Sequence, residues 1–329
     1  MTQRLRLGIL GTANIAANFA AGVRGSTRVV VTAVASRTPE RAREFALAAC
    51  VPTTFGSYEA LLESREIDAV YNPLPNGLHA RWSIRAADAG KHVLCEKPLG
   101  ASVAEVNAIF DAARRNAVHI IEAYPYRSQP QTHLLQRLLA SGAIGDVRMV
   151  QAAFNFPLSD RSNIRFDPAL AGGALMDLGC YPLSLIRMIA GAASSGVQAS
   201  GMLAPSGVDT AALVSLVFPG GLLAQAACSF DTVVHRQAVI MGDDGVIETT
   251  YANHTDRIAS VIRIRRGTGR DAPFEELPTP AMNGFLAEAD SFAELVSGGE
   301  WNGITEVESV DVAAMLDAAR TQVQAAAVS

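Results

Sequence analysis

Disulfide and metal chemistry are the first things this chain leaves out. Its four cysteines, Cys50, Cys95, Cys180 and Cys228, are scattered through 329 residues with no C-x-x-C pair and no histidine at ligand spacing. Neither a disulfide framework nor a zinc site is expected, and free thiols in a reducing compartment are the simplest reading. Long basic runs are missing too, and the formal net charge is -5. Nucleic acid and anionic membrane are therefore not expected partners. The longest apolar tract, 211–227, is broken by Pro219, Gly220 and Gly221, so it predicts a hairpin rather than a spanning helix. The opening MTQRLRLGILG passes from charged residues straight into a strand pattern, with no room for a secretory apolar segment, which points to the cytoplasm. Repeats and low-complexity segments are absent, and the closing VQAAAVS is expected to fray.

What remains is an ordinary globular composition, 49% hydrophobic and 18% charged, in a chain long enough for two domains. Leu5–Leu10 is an apolar strand pattern, and GTANIAANFAAGV reads as a turn entering a helix. Gly8, Gly11, Ala13 and Ala16 form a loosened dinucleotide fingerprint. Gly11 suits the tight turn and Ala16 close helix packing, while Ala13 stands where a second glycine is usual. Thr12, Ala13, Asn14 and Ile15 join Gly8 and Gly11 as candidate cofactor contacts.

The next run, Val29–Ala35, is β-branched and almost wholly apolar, as expected of a central parallel strand. It ends in Ser36, Arg37, Thr38 and Pro39, where an acidic residue would hold the 2'-hydroxyl of an NAD ribose. No acid is there. A guanidinium can pair a 2'-phosphate, so NADP is favoured over NAD, unless Arg37 merely opens a solvated loop.

A third strand pattern, 67–71, breaks into Asn72, Pro73, Leu74, Pro75 and Asn76, a stiff extended loop suited to lying along a flat cofactor. Pro73, Leu74 and Asn76 are candidate contacts; His79, opening the following helix, is either another or a capping group. Next comes KHVLCEKPLG, 91–100, a short buried strand stopped by Pro98. Ligands of open parallel sheets bind beyond the carboxyl ends of the strands, so Glu96 and Lys97 are candidates for chemistry there. A loop lysine is otherwise usually just solvated.

In the second half, 147–156 alternates like a strand and is followed by a polar segment carrying Asp160, Arg161, Asn163 and Arg165. AGGALMDLGCYPLSLIRMIAG then predicts a helix entered through glycines, on which Asp177 and Tyr181 stand four apart and share one face. That face is a substrate-facing edge or an incidental polar pair. Runs 211–218 with 222–230, and 236–241 with 246–250, predict hairpins of a mostly antiparallel sheet. If helices cover one face of it, the other can be buried against a second copy. The last helical patterns, FLAEADSFAELVSGG and ESVDVAAMLDAARTQVQAAA, are expected to pack back across this second domain.

GILGTANIA, ASR, YNPLPNGLHA and AGKHVLCEKPL, in this order, resemble the glucose-fructose oxidoreductase, inositol dehydrogenase and rhizopine-catabolism family of NAD(P)-dependent oxidoreductases. The resemblance implies an α/β chain: a Rossmann doubly wound parallel sheet over 1–124, then an α+β domain over 125–329 with a large open, mostly antiparallel sheet for substrate and oligomerisation. It implies a catalytic lysine at Lys97 and an arginine near the cofactor at Arg127. Members typically carry D-x-G-x-H in the later helix, and sugar and dihydrodiol dehydrogenases carry tyrosine for histidine; here Asp177, Gly179 and Tyr181 look like the tyrosine branch. Ser184 replaces an aspartate common in the family, which turns the expectation from inositol toward an aldose or trans-dihydrodiol.

The resulting expectation is an NADP-dependent dehydrogenase or reductase of a sugar, polyol or dihydrodiol, without metal, with NAD as a possible cofactor. Lys97, Tyr181 and Asp177 are its expected catalytic residues, and a homodimer or higher homo-oligomer its expected assembly. A redox-assisted glycosidase or lyase, and a catalytically silent NADP-binding regulator, are the alternatives.

Overall fold

The structure, a computed structural model, describes residues 4–251, 259–269 and 271–326. The end of the expected frayed tail, 327–329, lies outside them. The chain forms two compact units, Met1–Ser128 with Asn283–Glu306, and Gln129–Met282 with Val307–Ser329.

In the first unit, β1 (Leu5–Leu10), β2 (Val29–Ala35), β3 (Thr53–Phe55), β4 (Ala69–Asn72), β5 (His92–Glu96) and β6 (Ile120–Ala123) make one sheet in the order β3-β2-β1-β4-β5-β6. Every neighbouring pair is parallel, which is the doubly wound order whose switch point falls between β1 and β4. The crossovers are α1 (Asn14–Gly22), α2 (Pro39–Ala49), α3 (Tyr58–Leu62), α4 (His79–Asp88) and α5 (Val103–Asn116). Apolar residues cover one sheet face, from Leu7 and Ile9 to Phe19 and Tyr71, whose rings stack at 3.8 Å, while Leu61 and Ile67 pack over Gly8 on the other.

The second unit holds α6 (Pro130–Ala140) and an eight-stranded sheet of β7 (Val147–Asn155), β8 (Gly196–Leu203), β9 (Asp209–Val217), β10 (Leu223–Ser229), β11 (His235–Gly242), β12 (Gly245–Thr249), β13 (Val261–Arg266) and β14 (Glu275–Pro278). Its order is β14-β13-β12-β11-β7-β10-β9-β8, antiparallel throughout except for the β7–β10 pair. Both expected hairpins are present. Helix α7 (Cys180–Ala190) packs on β7 and β10. On the opposite face Met149, Leu223 and Val217 stand side by side on β7, β10 and β9, all exposed.

Two expectations need correction. The helix expected to cross the second domain, α8 (Gly284–Val296), belongs to the first unit: Phe285, Ala289, Phe292 and Ala293 enter that unit's core. Burying each phenylalanine is worth about 2–3 kcal/mol, enough to return the chain across a boundary that local pattern placed once, at 124/125. Of the last two helices it is α9 (Glu306–Ala326) that lies along the second sheet, where the Gln322 side chain accepts from the Ala199 N–H and donates to the Val197 carbonyl. Second, Leu175–Gly179 is a π-helical turn that precedes α7, not part of a regular α-helix. Such turns recur at functional sites.

Candidate active site

At the carboxyl ends of β1 and β4 the first unit presents a turn and a loop that fit each other. Gly11 follows β1 at φ +92°, a backbone that favours glycine, and a Cβ there would stand 3.0 Å from Leu74. Helix α1 starts at Ala13 with no side-chain cap and no acid in its first turn. Its first N–H groups are thus left for an anion, as a dinucleotide pyrophosphate requires. Thr12 is half-buried, Ala13 and Asn14 are exposed and Ile15 is half-buried along the same turn. Gly8 plays another part. A Cβ there would press on Leu61 and Ile67, so this glycine admits packing beneath the sheet rather than cofactor approach.

Beyond β2, Ser36 is buried and Arg37 is exposed. Tyr58, which sequence reading passed over, is the neighbour that matters. Burial pushes its phenol up while the Arg37 guanidinium beside it pulls it back, and its oxygen also lies 3.6 Å from where a Gly11 Cβ would be. A buried phenol and a guanidinium are both donors for a ribose phosphate. These residues fit an adenine dinucleotide carrying a 2'-phosphate.

Lys97 is held by its neighbours. Glu96 is not in the loop but ends β5, buried, where its Oε1 accepts from the Tyr71 hydroxyl at 2.6 Å. The Pro98 carbonyl lies 2.7 Å from His79 Nδ1, and the Leu99 N–H donates to Glu122 Oε1 at 3.0 Å. The Lys97–Pro98 peptide is cis. His79 is fully buried, and its Nε2 lies 2.6 Å from the Leu74 carbonyl. Both contacts are hydrogen bonds only in the charged ring. Burial opposes that charge and outweighs the two carbonyls, and the nearby Lys97 ammonium acts in the same direction as burial, pushing the pKa down to about 4. The expectation of His79 at a ligand is therefore replaced: enclosed, it packs between the Leu74 loop and the Lys97 loop, and as a neutral ring donates to one of the two carbonyls.

Asn72 shapes the same loop, donating to the His79 carbonyl at 3.3 Å and to Ser83 Oγ at 3.1 Å; Pro73 and Leu74 are buried and Asn76 half-buried. Arg127 is buried in the turn Pro125–Ser128, with its guanidinium toward the Gly303 carbonyl. Under this edge lies Glu288 of α8, fully buried. Desolvation, then the charge of Glu96, raises its pKa well above the usual carboxylate range, although Tyr124 hydrogen-bonds it. A glutamate within an apolar helix pattern offers no sequence signal that it is buried.

In the second unit the π turn gathers the other candidates. Asp177 and Tyr181 are both buried, and Asp177 Oδ2 accepts from Arg165 Nε at 2.5 Å. Four residues along a π turn still return nearly to the same face, so the pairing expected of an α-helix survives the change of geometry. Glycine makes this approach possible. A Cβ on Gly172 would overlap the Arg165 carbonyl, and one on Gly173, at φ +116°, would overlap the Asp209 carboxylate. Asp209 Oδ2 accepts from the Leu175 N–H at 2.6 Å, and burial pushes its pKa up to about 6. Arg165 burial would lower its own pKa, but Asp177 overcomes this and raises it, with Tyr181 adding to the rise. Phe154 meets Tyr181 edge-on at 5.2 Å, and the Arg236 guanidinium lies 4.8 Å from the Tyr181 ring centre.

The parallel sheet, its uncapped α1 and its anchored lysine define an oxidoreductase of the dinucleotide-binding class. Residues 5–124 match the oxidoreductase family with an NAD-binding Rossmann fold, and 132–248 match the GFO/IDH/MocA C-terminal domain. The chain belongs to this GFO/IDH/MocA family. It is 38% identical to D-xylose 1-dehydrogenase (NADP(+)) 2 of Haloferax volcanii, over 95% of this chain and 96% of that one. It is 34% identical to trans-1,2-dihydrobenzene-1,2-diol dehydrogenase of Danio rerio, over 97% of both. A 3-ketoreductase from Actinomadura kijaniata, solved with NADP and TDP-benzene, superposes with a TM-score of 0.89 at 29% identity, over 98% of both chains.

Proposed function

We propose that the protein transfers a hydride between the nicotinamide of NADP and a carbon of a sugar, polyol or dihydrodiol. The observation that carries this reading is Lys97, set at the end of β5 with anchors on both sides, in a unit where β2 ends in Ser36 and Arg37 rather than an acid. The names of the relatives support it: one is NADP-dependent on xylose and another acts on a dihydrodiol. In the 3-ketoreductase a lysine and a tyrosine have been replaced in further solved structures, and their separation in its sequence equals that of Lys97 and Tyr181 here.

Bound NADP supplies the hydride acceptor or donor. Arg37 and Ser36 hold its 2'-phosphate, the Gly11 turn admits its pyrophosphate, and the Pro73–Leu74 loop, tied by Asn72 and His79, lines its flat side. Tyr181 gives or takes the proton at the substrate oxygen, Lys97 supplies an ammonium that favours the deprotonated oxygen, and Asp177 orients a substrate hydroxyl. The exposed sheet face bearing Met149, Leu213, Val217 and Leu223 is the surface for a second copy. Four free thiols, three of them buried, accord with work in the cytoplasm.

The test follows nicotinamide absorbance with NADP and NAD against pentoses, hexoses, anhydro-ketoses and dihydrodiols. The expected result is turnover with NADP, reduced about a hundredfold or more in Lys97→Met and in Tyr181→Phe. Wild-type rates in both variants would overturn the assignment. Substrate consumption without net absorbance change would instead indicate a redox-assisted glycosidase or lyase, and binding without turnover a regulator.

A further inference from the structure

Strand β11 opens with His235, and its second residue, Arg236, stands opposite Phe154 of β7 in the antiparallel ladder. A charged side chain near a strand end would ordinarily turn to water. This one turns inward. Its guanidinium lies 4.5 Å from the ring centre of Phe154, 4.5 Å from that of Tyr251 and 4.8 Å from that of Tyr181. The Tyr251 ring is itself pinned, because its hydroxyl donates to the Ala153 carbonyl at 2.6 Å.

Other charges also surround Tyr181 within the second unit. Arg165 faces it from the polar segment before the π turn, but Asp177 offsets that charge at 2.5 Å. Behind the turn, Asp209 and the thiols of Cys180 and Cys228 share the neighbourhood of Asp177. Arg236 is a cation that lies against the face of the tyrosine ring. A phenolate ring is richer in electrons than a phenol, so a cation at its face favours the ionised form more than the neutral one.

Resting on the reading of Tyr181 as the proton-transferring phenol, we propose that Arg236 is a positioning residue that fixes the Tyr181 ring among Phe154 and Tyr251 and sets, by its charge, the pH at which that phenol enters catalysis. A unit charge about 5 Å away, at an effective dielectric constant near 20, moves a neighbouring titration by about two pH units. Arg236 is half-buried, and screening reduces this to about one. The sign is fixed. Without the cation the phenol loses its proton less readily, so the rising limb of the oxidation rate moves to higher pH.

Two readouts test this. One is the tyrosinate ultraviolet titration of the protein without cofactor, with Tyr181→Phe subtracted to isolate Tyr181. The other is the pH profile of kcat for sugar oxidation with NADP. In Arg236→Gln both midpoints are expected to rise by about one pH unit, kcat at neutral pH to fall about tenfold and recover at high pH, and KM to change less. Arg236→Lys, which keeps the charge, is expected to return both midpoints toward wild type. Arg236→Met, which keeps an apolar stem against the rings, repeats the measurement if glutamine unsettles the fold. Unmoved midpoints with activity lost evenly across pH would overturn the proposal, as would a lysine variant displaced as far as the glutamine one. If Tyr181→Phe leaves the kinetic limb in place, the Tyr181 reading fails, while the ultraviolet titration still judges Arg236.

Discussion

Replacing Arg165 by methionine removes the guanidinium from Asp177 while keeping an apolar stem. The Asp177 side chain is 10% exposed and that of Arg165 37%, with Nε and Oδ2 at 2.5 Å. Breaking a fully buried ion pair from one side costs about 3–5 kcal/mol, whereas an exposed pair is worth about 0–1 kcal/mol. With one partner enclosed and the other open, Arg165→Met should cost about 2 kcal/mol. Asp177→Asn removes the charge that needs the partner, so the double variant should be less destabilised than the sum of the two. Urea unfolding of the four proteins measures this coupling, expected near 2 kcal/mol and little changed by salt. Activity should follow. With Asp177 no longer held by Arg165, kcat/KM is expected to drop about tenfold to a hundredfold in Arg165→Met. A coupling under about 0.5 kcal/mol, or one erased by moderate salt, would refute the argument that this pair sets the carboxylate.

Three further outcomes follow from the same geometry. Arg37→Ala should weaken NADP binding about tenfold to a hundredfold, as expected for loss of a charge-assisted contact, and leave NAD nearly unchanged; fluorescence titration of both cofactors checks this, and equal losses would argue against a 2'-phosphate contact. Gly173→Ala places a methyl against Asp209 at a positive φ and should cost at least about 2 kcal/mol in urea unfolding, with kcat/KM lowered through the displaced π turn. His79 binds its proton near pH 6.5 when unfolded and near 4 when folded, so the unfolded state holds more protons between these values. Stability is therefore lost as pH falls through that window, by up to about 3 kcal/mol, and His79→Gln should flatten the dependence; identical slopes in wild type and variant would refute it.

Local chemistry was enough to read some of these elements from the chain. Apolar β-branched runs ended by Gly11, Ser36, Pro73 and Pro98 marked where the parallel strands stop, and in such a sheet the strand ends are where ligands bind. Arg37 and Lys97 stand just beyond two of these strand ends, β2 and β5. Asp177 and Tyr181 were paired by spacing alone, because four residues bring side chains to one face in an α turn and nearly so in a π turn. How these residues are held depends on packing between distant parts of the chain. Glu96, His79 and Glu288 carry ordinary polar identities in sequence, and their roles come from burial against Tyr71, against two carbonyls and beside Glu96 respectively. The return of α8 to the first core depends on area buried by Phe285 and Phe292 far along the chain. Arg236 meets Tyr181 only because β11 pairs with β7 in one register. Periodicity reports which face a residue shares with its sequence neighbours; burial, pKa and partner choice are set by residues distant in sequence, and folding alone brings those together.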